Sequence, residues 1–218
     1  MEPIIQEPSL PASACVIWMH GLGADAQDML GLATQMHWGS HAVRQVFMNA
    51  PIRPVTLNHG MAMPAWYDIT GTSLTDREDE DGIRASAETI STMIAKQVAQ
   101  GISQNRIFLA GFSQGGAMAL YTGLLASGAL GGVAALSAYL PLSQTLKPRQ
   151  YHQTPIFIGG GRFDPVVLPP WTDASEQWLK QHNFHNIHSF RYPMEHSICL
   201  EEVRDLEQWF MPLLEESK

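Results

Sequence analysis

Short apolar runs closed by glycine or proline alternate along this chain with longer stretches of helical period, and this alternation limits the fold more than any other feature. Strand candidates are Cys15 to Met19, Val46 to Met48, Arg106 to Ala110, Gly132 to Leu136, Pro155 to Ile158 and His188 to Tyr192. Several are dense in Val, Ile and Phe, the composition of strands buried on both faces of a helix-covered parallel sheet. Helices fit between them. Ile83, Ala87, Ile90, Ile94 and Val98 recur every three or four residues, and Gly101 follows as a stop. Residues 114 to 126 are apolar on nearly every side, as in a helix covered by both sheet and neighbours, and Gly128 lies just beyond. Val203, Leu206, Phe210 and Leu213 make a further stripe, whose last turn Pro212 is expected to disturb. The pattern predicts an α/β chain with a mainly parallel central sheet flanked by helices.

At 218 residues, one domain spanning residues 1–218 buries about 70% of the surface that the extended chain exposes. Hydrophobic residues at 45% and charged residues at 16% exclude an extended disordered or coiled-coil chain. Thirteen Lys and Arg stand against twenty-one Asp and Glu, and no basic stripe interrupts the net charge of -8, so nucleic acid is not an expected partner. Two cysteines, Cys15 and Cys199, are too few for the disulfide framework of a secreted chain and read as reduced thiols. Residues 1–8 carry neither a basic region nor a long apolar run, and no uninterrupted apolar stretch reaches the length of a transmembrane segment. These features predict a soluble cytoplasmic protein.

The stretch from Pro51 to Asp81 does not read as regular structure, and loops of this length in compact domains are often functional. It carries Met61, Met63, Trp66, Tyr67 and Ile69, and is expected to fold over an apolar substrate groove. The thioethers of Met61 and Met63 suit an adaptable wall as well as they suit core filling. The acidic run from Asp76 to Asp81 has no calcium-loop spacing and is read as a solvated face at a helix N-terminus.

Gly111-Phe112-Ser113-Gln114-Gly115 is a G-x-S-x-G pentapeptide placed between a strand and the buried helix. A serine hydroxyl is a poor nucleophile until a base takes its proton, so such a residue must stand exposed at a sharp turn that flanking glycines permit. The helix that begins at Gln114 points free N–H groups toward the place where negative charge develops in acyl transfer. A plain tight turn would account for the glycines alone. It would not account for an acid and then an imidazole following in order, each just past a strand. Asp164, in Gly161-Arg162-Phe163-Asp164-Pro165, can orient an imidazole or cap its own turn; His196 follows the last strand and precedes the final helix, alone among nine histidines in being so placed.

The turn His20-Gly21-Leu22-Gly23 offers a second oxyanion donor, assigned to the backbone N–H of Leu22 beside that of Gln114, with the His20 side chain bracing the turn. His182, His185 and His188 straddle a helix end, a loop and a strand start, so no metal site is assigned to them. Cys199 occupies no elbow and reads as a packed helix residue rather than a nucleophile.

From about Val16 to the final helix the chain resembles the small carboxylesterase, acyl-protein thioesterase and lysophospholipase family of α/β-hydrolases. The resemblance runs through residues 20–25, 50–56, Trp66-Tyr67-Asp68-Ile69, 111–116, Asp164-Pro165-Val166-Val167 and His196-Ser197. It implies the α/β-hydrolase fold without a large cap domain, and a Ser113, Asp164 and His196 triad with oxyanion N–H donors at Leu22 and Gln114. It also implies no cofactor, and an acyl groove bordered by Leu22, Ile69, Thr70, Tyr139, Val166 and Trp171. Its substrates would be small or lipid acyl esters, with acylated proteins and lysophospholipids following, and two copies could pair as a homodimer. Where relatives often have His-Gly before the aspartate loop, this chain has Gly160-Gly161. Where they have glycine before the histidine, it has Glu195. A glutamate there costs about 1 to 2 kcal/mol if the position needs a left-handed backbone, and would raise the histidine's pKa if it turned inward. A non-catalytic binding protein on the same scaffold and a dienelactone-hydrolase-like enzyme, which would prefer cysteine at the elbow, are the competing readings.

Overall fold

The computed structural model describes residues 2–71, 74–149 and 151–215. Nine strands and five helices follow one another as β1 (Ile4–Gln6), β2 (Ala14–Met19), α1 (Ala26–Ala33), β3 (Val43–Met48), β4 (Ile52–Pro54), β5 (Ala62–Pro64), α2 (Glu80–Ala99), β6 (Ile107–Phe112), α3 (Gln114–Leu125), β7 (Gly132–Leu136), β8 (Ile156–Gly161), α4 (Pro169–Gln181), β9 (Ile187–Tyr192) and α5 (Leu200–Glu215). Seven strands make one sheet in the order β1-β3-β2-β6-β7-β8-β9. All its pairings are parallel except β1 with β3.

Side chains alternate across the sheet with the period of two that a strand imposes. Ile17, Met19 and Leu109 face α2, α3 and α4 through Ile83, Ile90, Ala117, Leu120 and Leu179. Val16, Trp18, Phe108 and Ala110 face α1 and α5 through Met29, Leu32, Val203, Leu206 and Phe210. Both faces are therefore covered, which explains the unalternated apolar runs in the sequence. Among the described residues no helix is long and apolar enough to cross a membrane.

Local signals set the helix ends. Asp79 accepts the Gly82 N–H at 3.0 Å and caps α2, with Glu80 and Asp81 in its first turn, where negative charge is favourable. Gly101, at φ +95°, follows its end as expected. Pro212 does not break α5, which runs on to Glu215. Arg106, expected at a strand start, lies in a short turn before β6 and donates to the Leu213 and Leu214 carbonyls at 3.0 and 2.9 Å.

The stretch from 51 to 81 holds more regular structure than expected. β4 and β5 form a small antiparallel hairpin, and α2 already begins at Glu80. Met61 is 58% exposed on it. Glu78 departs from a solvated acidic face. Its Oε2 accepts the Leu142 N–H at 2.9 Å, and burial pushes its carboxyl up to about 7.

Candidate active site

Connections after adjacent parallel strands part company where the strand order reverses, leaving a crevice beyond their carboxyl ends. Here the reversal falls between β2 and β6, paired from Cys15 with Ile107 to Met19 with Gly111. The turn after β2 leads to α1 on one face, and the turn after β6 leads to α3 on the other. His20 to Leu22 and Ser113 therefore stand side by side at that crevice.

Ser113 holds φ 55° and ψ -119°, a left-handed backbone that is rare for a residue with a side chain and costs on the order of 1 to 3 kcal/mol. Two glycines make room for it. A Cβ on Gly111 would meet the Gly115 carbonyl carbon at 2.4 Å, and one on Gly115 would meet the Met19 carbonyl oxygen at 2.1 Å. Helix α3 can therefore turn back tightly over the end of β6 only with glycine at 111, and press onto the end of β2 only with glycine at 115.

The acid and the imidazole arrive from the neighbouring strand ends. Asp164 follows β8 and is 3% exposed; its Oδ1 accepts the N–H groups of Val166 and Val167 at 2.8 and 2.9 Å, so it caps its own turn. Its other oxygen lies 2.7 Å from His196 Nδ1, and His196 Nε2 lies 2.9 Å from Ser113 Oγ. The two readings of Asp164 are thus compatible, because the cap fixes the oxygen that faces the ring. The Phe112 ring packs 4.8 Å from the imidazole. Sequence reasoning missed Phe112, although its position next to the serine was the available signal.

The turn after β2 is braced from inside. His20 is fully buried, with Nε2 accepting the Ala50 N–H at 3.0 Å and Nδ1 donating to the Gly21 carbonyl at 2.7 Å. Burial lowers its pKa, and accepting through Nε2 fixes the neutral form. Gly23 donates to the Pro64 carbonyl and Ala24 to the Gly21 carbonyl. The N–H groups of Leu22 and Gln114 have no hydrogen-bond partner among the described residues.

The Gln114 side chain, also missed, joins the elbow to the long connection. Its Oε1 accepts the Trp66 N–H and its Nε2 donates to the Tyr67 carbonyl, each at 2.8 Å. The Trp66 indole donates to the His20 carbonyl at 2.8 Å. Asp68 in turn accepts from the Thr56 N–H and hydroxyl at 2.7 and 2.6 Å.

A cavity of about 430 Å³ opens over Ser113, Gln114, Phe112 and His196. Of the residues expected at the groove, Leu22, Ile69, Tyr139 and Val166 line it. Thr70 does not, its hydroxyl being turned to the Arg77 carbonyl, and Trp171 lines a second cavity on the far side of Tyr139. Met63 is likewise outside the lining; Leu57 and Leu74, which sequence reasoning did not single out, are part of it.

The two departures from the family pattern resolve by geometry. Glu195 has no left-handed backbone and its side chain is exposed, so neither the strain nor the inward carboxylate arises. A Cβ on Gly160 would meet nothing closer than Thr172 at 3.9 Å, whereas one on Gly161 would strike the Met194 and Glu195 carbonyl oxygens at 2.3 and 2.5 Å. Only Gly161 is sterically required. Cys15 and Cys199 are both free thiols, Cys15 deeply buried. His182 stacks on Trp178 at 3.7 Å while His188 reaches Asn186, and among the described residues no three His, Cys, Asp or Glu side chains are placed to hold a metal.

This sheet order, with a serine on a strained turn at its reversal and no inserted cap among the described residues, defines the α/β-hydrolase class. Residues 1–212 match the phospholipase/carboxylesterase family, and the chain belongs to that family as a serine hydrolase of carboxylesterase type. It is 36% identical to acyl-protein thioesterase 1 of Cryptococcus neoformans over 95% of each chain. It is 38% identical to the protein of that name from Neurospora crassa, over 90% of this chain and 85% of that one. Among solved structures it resembles Arabidopsis thaliana SOBER1, with a TM-score of 0.84 and 30% identity over 92% of this chain and 99% of that one. It also resembles Zea mays acyl-protein thioesterase 2, with a TM-score of 0.85 and 26% identity over 98% and 99%.

Proposed function

We propose that this enzyme hydrolyses aliphatic acyl esters and thioesters through an acyl-enzyme on Ser113, with His196 as the base and Asp164 as its orienting acid. The observation that carries this reading is the unbroken contact from Asp164 through His196 to Ser113 beneath an apolar cavity. His196 Nε2 takes the Ser113 proton as Oγ attacks the substrate carbonyl, and the carboxylate of Asp164 holds the tautomer and stabilises the imidazolium. The Leu22 and Gln114 N–H groups donate to the oxyanion, a contribution typically worth about 3 to 4 kcal/mol per donor. His196 then returns the proton to the leaving oxygen or sulfur, and water repeats the sequence in reverse to release the acid.

The acyl chain lies along Leu22, Ile69, Val166 and Tyr139, walled by the 51–81 connection. Acylated proteins are a second substrate class. That reading draws on the names of the relatives and on Leu57 and Val166, which line the cavity yet remain exposed at its mouth, open to a chain presented by a larger carrier. A cytoplasmic setting is the reading that the two free thiols support, and the homodimer implied by the resemblance is tested by light scattering.

Ser113→Ala should lose kcat by about four to six orders of magnitude on a p-nitrophenyl butyrate substrate, with labelling by a fluorophosphonate probe abolished. Retained labelling, or a variant as fast as the parent, would remove Ser113 from the mechanism. Rates on one palmitoylated peptide and one lysolipid, beside the aryl ester, rank the substrate classes.

A further inference from the structure

Two cavities meet at Tyr139. The first, of about 430 Å³, contains Ser113 and His196 in its lining; the second, of about 280 Å³, lies against α4 and includes Trp171, Ser175 and Trp178. Tyr139 is the residue common to both linings, and the adjacent residues Leu74 and Thr75 divide between them. The Tyr139 side chain is buried and held on two sides. Its hydroxyl donates to the Leu74 carbonyl at 2.8 Å and lies 3.2 Å from the Tyr67 hydroxyl, while its ring packs 6.3 Å from that of Trp171. Burial of both phenols raises their pKa values, so the pair stays neutral and hydrogen-bonded through the ordinary pH range.

We propose that Tyr139 is the specificity-determining wall that closes the acyl cavity on its α4 side, and that the space beyond it, over Trp171 and Trp178, admits a longer acyl chain only when the phenol ring is removed. The wall rests on the acyl-enzyme reading above. Physically the partition is the ring itself: a buried aromatic side chain backed by the Trp171 indole fills the space between the two linings, and the hydroxyl, paired with a backbone carbonyl, only adds to its hold. A chain that outgrows the first cavity therefore meets a closed end, and its further methylenes stay in water.

The test is kcat/KM on p-nitrophenyl esters of graded acyl length, butyrate to palmitate, each divided by the same variant's value on butyrate. While added methylenes are buried, the ratio climbs by up to about fourfold per carbon, and it breaks where the chain no longer fits. In Tyr139→Ala the break is expected at longer chains, so that two newly accommodated methylenes raise the ratio by about fifteenfold over the parent. Tyr139→Leu keeps apolar volume in the core and gives the same direction of shift should the alanine variant fail to fold. Tyr139→Phe keeps the ring and the parental break. A break that stays put in the small variants, or moves as far in Tyr139→Phe as in Tyr139→Leu, overturns the wall while leaving a Ser113-dependent esterase intact. If no ester is cleaved in a Ser113-dependent way, the acyl-enzyme reading falls and the wall falls with it.

Discussion

Gly160 and Gly161 are neighbours at the end of β8, yet what surrounds them differs. Added carbon at Gly161 would collide with the backbone oxygens of Met194 and Glu195, the two residues leading into His196; at Gly160 it would make only an ordinary contact with Thr172 at 3.9 Å. A displacement of the His196 backbone by about 1 Å moves Nε2 out of reach of Ser113, and misplacement on that scale costs about 100-fold in rate. Gly161→Ala is therefore expected to lower kcat by about two orders of magnitude, and Gly160→Ala to leave it near the parental value. Circular dichroism on both variants separates local displacement from unfolding. Equal kcat values in the two would mean that the 194–195 backbone does not position the histidine.

At the scale of elements, the connection between β3 and α2 stays in place through contacts that hydrophobic pattern cannot reveal. Gln114 Oε1 and Nε2 satisfy the buried Trp66 N–H and Tyr67 carbonyl, and an unpaired buried group costs about 1 to 3 kcal/mol. Gln114→Met keeps the backbone N–H and the side-chain length but removes both bonds. It is expected to destabilise the fold by about 2 to 4 kcal/mol, lowering Tm by roughly 5 to 12 °C, and to slow long-chain esters more than acetate because Tyr67 and Ile69 line the cavity. An unchanged Tm would show that the clamp contributes nothing. The elements themselves were legible to very different degrees. Gly132 to Leu136 was read with its observed bounds, and the elbow, the acid and the histidine were all placed just past strands, because burial on both faces and turn glycines leave local marks. β8 runs past the expected end at Ile158 to Gly161, because glycines carry no strand signal of their own and Gly159 to Gly161 are strand only through pairing with Phe190 to Tyr192 of β9. β1 went unseen, being three residues defined by pairing with β3, and so did the hairpin, whose two three-residue strands each end in proline. α1 has only eight residues and a capping box of Asp25 and Asp28, a weaker signal than a serine or threonine paired with glutamate. Gln114 was assigned for its N–H alone, because what its side chain binds lies 48 residues away and only tertiary structure brings it near.

The molecule as a whole carries a buried carboxyl that ties its stability to pH. Glu202, in the first turn of α5, is 0% exposed, and neither of its oxygens has a hydrogen-bond partner among the described residues. The carboxyl sits against Gly159 at the end of β8, its Oε1 2.0 Å from where a Cβ would stand, so the missing side chain leaves room for it there. Burial, and then the negative charge of Asp205, raises its pKa from 4.5 to about 8. Between those two values the folded state binds a proton that the unfolded state has released, so stability falls as pH rises through this window and the loss is complete above about pH 8. Glu78 adds a smaller contribution of the same sign, complete above about pH 7. Glu202→Gln removes the titration while keeping the side chain's shape. Its stability relative to the parent should therefore improve steadily from about pH 5 to about pH 8, by on the order of 3 to 5 kcal/mol in total, at about 1.4 kcal/mol per unit of pKa shift. Urea unfolding at the two ends of that range measures the difference, which cancels any constant cost of the buried amide. If the gap between variant and parent is the same at both ends, Glu202 ionises at its ordinary pKa and does not tie the fold to pH.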